Sequence, residues 1–70
     1  MPLMRLVENR GFSPEDVEIL DAAWKAALGE LRLSRHDPKA EELACAVIRF
    51  ALEGERDEGR LRALALKAVS

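Results

Sequence analysis

The chain is short of the residues from which small proteins usually draw extra stability or chemistry. Cys45 is its only cysteine and His36 its only histidine in 70 residues. No disulfide can close within it, and one free thiol suits a reducing compartment. His36 and Cys45 also lack the paired spacing that closes a zinc site. No stretch is long and apolar enough to span a bilayer. Arg5 interrupts the opening apolar residues too early for the core of a signal peptide. Positive charge is not in excess either. Eleven Lys and Arg against thirteen Asp and Glu leave a net charge of −2 and a pI near 5.4. That balance argues against a nucleic-acid protein held by bulk attraction to phosphate. The expectation is a cytoplasmic protein with no membrane segment, no metal and no cofactor.

What the chain does contain is a concentrated apolar segment. Residues 43–52 carry a single charge, Arg49, in a sequence that is 34% charged overall. Such a segment must be buried on most of its sides. A single domain of this size buries only about 60% of its unfolded surface, so it commonly needs a disulfide, a metal or a partner chain. With the first two absent, association of identical chains is the expected route.

Punctuation divides the chain into an N-terminal arm, residues 1–12, and a three-helix domain, residues 13–70. Ser13 followed by Pro14, Glu15 and Asp16 is a helix start. The hydroxyl can accept from the Asp16 amide, proline fits the first helical position, and the acids complement the positive helix end. Phe12 before the cap and Val17 within the first turns form a hydrophobic staple. Val17, Leu20, Trp24, Ala27, Leu28 and Leu31 then recur at steps of three and four, predicting an amphipathic helix over 14–31. Gly29 leaves its end open.

Asp37 and Pro38 repeat the signal for a second helix, which Gly54 should close in the left-handed conformation. Ala40, Leu43, Ala44, Val47, Phe50 and Ala51 share its wide apolar face, and Glu42, Arg49 and Glu53 a narrow polar one. Cys45, Ile48 and Leu52 lie on a flank between them. Asp57 opens a third helix with Leu61, Leu64, Ala65, Ala68 and Val69 on one face and Leu66 outside it. No strand is required, so the fold class is all-α, a small three-helix bundle.

Candidate chemistry is sparse. His36 before a helix start and Cys45 within it are about 12 Å apart at 1.5 Å per residue, too far for a thiolate and base pair. Glu41 and Glu42, like Asp57 and Glu58, sit where they stabilise helix dipoles. No catalytic residue is assigned and the protein is not expected to be an enzyme. Arg32, Arg35, His36 and Lys39 cluster between the first two helices, and Arg56, Arg60 and Arg62 at the third. Surface ion pairing with Glu15, Glu18, Asp21, Glu41 and Glu55 accounts for them simply. The second and third helices have the length pattern of a helix-turn-helix. Arg56, Arg60, Arg62 and Lys67 would then be the anion or nucleic-acid contacts. Against this, Asp57 and Glu58 would face the phosphates.

Arg35, Asp37 and Pro38, the run Gly54, Glu55, Arg56 and Asp57, the residues Arg60, Leu61, Arg62, Ala65 and Leu66, and Phe12 to Glu15 together form a pattern. The chain resembles short, uncharacterised bacterial all-helical proteins of similar length, across most of residues 12–69. The resemblance implies a bacterial, cytoplasmic helical domain and brings no activity or functional residue with it. The resulting expectation is a protein-interaction module, a homodimeric adaptor or regulator whose self-association surface is Cys45, Ile48, Leu52 and Leu66. The alternative is a helix-turn-helix-like DNA-binding regulator.

Overall fold

The Ser13 hydroxyl accepts the Asp16 amide at 3.1 Å, and the Asp16 carboxylate accepts the Ser13 amide at 3.3 Å. This reciprocal capping box satisfies two donors that a helix start otherwise leaves open. Helix α1 runs from it over Pro14–Leu31. The Asp37 carboxylate accepts the Lys39 amide at 2.8 Å and opens α2, Pro38–Leu52. Asp57 accepts the Arg60 amide at 3.1 Å and opens α3, Glu58–Val69. The computed structural model describes residues 11–69. The described residues form an all-α bundle of these three helices. Most of the expected arm, residues 1–10, lies outside the described residues.

Both connections begin with the same hydrogen-bonded motif built on different residues. After α1, the Leu33 amide donates to the Leu28 carbonyl at 3.0 Å and the Arg32 amide to Gly29 at 3.2 Å. After α2, the Glu55 amide donates to Phe50 at 3.2 Å and the Gly54 amide to Ala51 at 3.0 Å. These are Schellman motifs, whose pivot residue must take positive φ. Gly54 does so at 108°, as its sequence position predicts. At the first turn the pivot is Arg32, at φ 55° and ψ 41°. Gly29 therefore does not end α1, and the helix continues to Leu31.

Each helix packs on both others, most extensively α2 on α3. Ala68 and Val69 at the end of α3 flank Pro38 at the start of α2, so these helices run antiparallel. Leu31 and Leu33 meet Lys39 and Val69 at that same end, so α1 also runs antiparallel to α2. The fully buried centre combines large Trp24, Leu20, Leu43, Leu61 and Val47 with Ala23, Ala27, Ala40, Ala44 and Ala65. Small side chains bring helix axes toward the short end of the usual range of about 8–10 Å. The Trp24 indole N–H donates to the Ala40 carbonyl at 2.8 Å, so the one polar atom of that ring is satisfied within the core.

The observed burial departs from the apolar faces expected of the sequence at several positions. Ile48, expected on an open flank, is only 4% exposed and belongs to the core. Leu31, expected on the covered face of α1, is 41% exposed because it sits in the last turn, beyond its neighbours' cover. Ala68 is exposed and Phe50 half-buried, although each falls on an apolar face.

Candidate functional site

Two open grooves adjoin at the end of the bundle where α1 stops, α2 begins and α3 stops. The first, about 560 Å³, is lined by Leu31, Leu33, Leu66 and Val69, with Glu30 and Lys39 at its edges. The second, about 650 Å³, runs along α2 and α3 between Glu41, Glu42, Cys45 and Arg49 on one side and Ala68 and Val69 on the other. Val69 lines both. Leu33, Leu66 and Val69 are half-buried, so this end presents aliphatic carbon that the described residues leave partly uncovered.

The expected self-association residues divide among three environments. Cys45 is exposed and lines the second groove, and half-buried Leu66 lines the first. Ile48 is inside the core and offers no surface. Leu52, 51% exposed, is the last residue of α2, at the opposite end from Val69. The sequence reading missed Leu31, Leu33 and Val69. Their common end of the bundle follows only from the antiparallel packing.

The three arginines of the turn and α3 each pair with a carboxylate of the chain. Arg56 Nε lies 3.1 Å from Asp16 Oδ1, its guanidinium sits 5.1 Å from the Phe12 ring centre, and it donates to the Ala51 and Glu55 carbonyls. One side chain thereby ties the entry of α1 to the end of α2. Arg60 Nε pairs with Glu55 at 3.2 Å, and Arg62 Nη1 with Glu30 at 3.7 Å. Lys67 occupies the last turn of α3, where a cation complements the negative helix end. Of the carboxylates expected to neutralise these clusters, Glu55 pairs with Arg60, while Asp21 pairs with Lys25 at 2.7 Å along α1. Asp16 has its pKa lowered, first by the hydrogen bond from the Ser13 amide, against some desolvation, and then by the Arg56 charge.

The loop between α1 and α2 differs. Arg32 and Arg35 there, and Lys39 in the first turn of α2, are exposed, and none makes an ion pair among the described residues. Glu41 and Glu42, which follow Lys39 on α2, are likewise exposed and make no ion pair among the described residues. Among the described residues no group of three or more His, Cys, Asp or Glu side chains could hold a metal ion, and no helix is long and apolar enough to cross a membrane. Comparison of the chain with protein-family models, curated proteins and solved structures finds no match.

Proposed function

We propose that this protein is a small helical interaction module, acting as a homodimeric adaptor or regulator in the cytoplasm of a bacterial cell. The observation that carries the reading is the apolar end of the bundle, where Leu31 is 41% exposed beside half-buried Leu33, Leu66 and Val69. A domain this small has little apolar surface to spare. A partner chain that covers this end adds burial worth about 25 cal/mol per Å². The single thiol, Cys45, supports a reducing compartment, and the resemblance supports the bacterial setting. The module binds and carries out no catalytic step.

Sedimentation equilibrium across a concentration series tests this directly. The expected result is a dimer at micromolar concentration. A folded monomer at high micromolar concentration overturns the proposal.

The helix-turn-helix alternative draws less support from the geometry. It needs Arg56, Arg60 and Arg62 for phosphate, yet each sits against a carboxylate of its own chain. Its test is duplex binding at low salt, with an affinity that falls steeply as salt rises.

A further inference from the structure

We infer that Arg56 is a latch: it makes the entry of α1 and the turn between α2 and α3 one opening unit, which comes away together while the rest of the bundle stays folded. This concerns a single chain and does not depend on the homodimer reading. Burial defines the two segments. Among the described residues, buried side chains begin at Leu20 on α1, stop at Ala51 on α2 and resume at Leu61 on α3. Residues 11–19 and 52–60 contain none. Segments with so little buried contact open locally at low free energy.

Arg56 joins them. Toward α1 its Nε lies 3.1 Å from Asp16 Oδ1, and its guanidinium sits 5.1 Å from the centre of the Phe12 ring. Toward the turn it donates to the carbonyls of Ala51 and Glu55. Both carboxylate neighbours carry the link further. The other oxygen of Asp16 accepts the Ser13 amide and so completes the cap of α1. The Glu55 carboxylate accepts from Arg60 Nε at 3.2 Å and from the Asp57 amide at 3.4 Å, at the start of α3. Lifting either segment alone takes from the guanidinium its partners on that side. Members of one such network are not additive, so each segment is held more firmly while the other is in place. Release frees Phe12 and Val17, both packed on the core, and bares the apolar surface beneath them.

Native-state amide hydrogen exchange on the full chain tests the latch. The Val17 amide, bonded to the Ser13 carbonyl at 3.0 Å, reports on the entry of α1, and the Glu55 amide, bonded to Phe50 at 3.2 Å, reports on the turn. In the wild type both should be less protected than the amide of Val47 in the buried centre of α2. Ser13→Ala removes the hydroxyl that accepts the Asp16 amide, and Gly54→Ala strains the turn at φ 108° without a clash. Each should lower the protection of its own reporter about fivefold, and that of the distant reporter by the same factor. In an Arg56→Gln background each should act on its own reporter alone. The Leu33 amide, in the turn at the other end of the bundle, should not change. Far-ultraviolet circular dichroism checks that each variant remains helical, and either substitution decides the matter if the other fails to fold. An effect confined to its own reporter while Arg56 is present overturns the latch, as does one that still crosses to the distant reporter after Arg56→Gln. Equal protection of Val17, Glu55 and Val47 also overturns it, since all three would then open only with the whole molecule.

Discussion

The indole nitrogen of Trp24, 1% exposed at the centre of α1, donates to the carbonyl of Ala40 in the first turn of α2 at 2.8 Å. The ring is thus both the largest side chain of the core and a directional link between two helices. An unpaired N–H at this depth would cost about 1–3 kcal/mol.

Trp24→Phe should therefore destabilise the fold by roughly 1–3 kcal/mol, combining the lost hydrogen bond with a small cavity. Trp24→Ala should cost about 3–5 kcal/mol. A 70-residue domain has a total stability of only roughly 4–10 kcal/mol, so the alanine variant should lose a large share of it. Urea titration followed by far-ultraviolet circular dichroism measures both.

Arg32 and Gly54 occupy equivalent positions in the two Schellman turns, so substitutions there should act in opposite directions. Arg32→Gly should stabilise by about 0.5–1 kcal/mol by relieving left-handed strain at φ 55°. Gly54→Ala should destabilise by about 1 kcal/mol or more. A Cβ on Gly54 meets no heavy atom within 4 Å, so its cost lies in the backbone at φ 108° and not in a clash. Thermal melts of the two variants should move to either side of the wild type.

Arg56 makes contacts that a lysine cannot reproduce. Its planar group meets the Asp16 carboxylate, the Phe12 ring and two carbonyls at once. Arg56→Lys should lose about 1–2 kcal/mol, nearly as much as Arg56→Gln, allowing for solvent screening of a partly exposed pair. Equal loss in urea titration identifies geometry, and not charge alone, as the source. A fully stable lysine variant contradicts this.

Asp16 links stability to pH. Its folded pKa lies below its ordinary value, chiefly through the Ser13 amide. The native state thus binds fewer protons than the unfolded chain across the interval between the two values. The contribution is fully present above the unfolded pKa of about 4 and is lost as pH falls through the folded value. Asp16→Asn keeps an oxygen for the Ser13 amide but carries no charge. It should be less stable than wild type near neutral pH and flatter in its acid response, as urea midpoints from neutral pH downward will show.

Helix starts were legible because caps act locally. Ser13 with Pro14, and Asp37 with Pro38, satisfy amides within three residues, so no distant contact can move them. Gly54 was legible for the same reason: positive φ there suits one residue type. The end of α1 was less so. An arginine in the left-handed conformation carries no sequence signature, and Gly29 nearby left the stop open between itself and Leu31.

The amino-acid order by itself determined the three helices, their caps and the apolar positions around each one, since these follow from interactions spanning a turn or less. The tertiary structure alone decided which apolar positions are covered and which cations are paired. Ile48 and Leu52 occupy the same flank of α2, yet one is buried and the other is half open, because burial depends on place along the bundle as well as around the helix. Arg56 appeared as part of a basic cluster until folding brought Asp16 and Phe12 to it from the other end of the sequence. Leu31, Leu33, Leu66 and Val69 likewise form one surface only because antiparallel packing collects the end of α1, the start of α2 and the end of α3 at a single place.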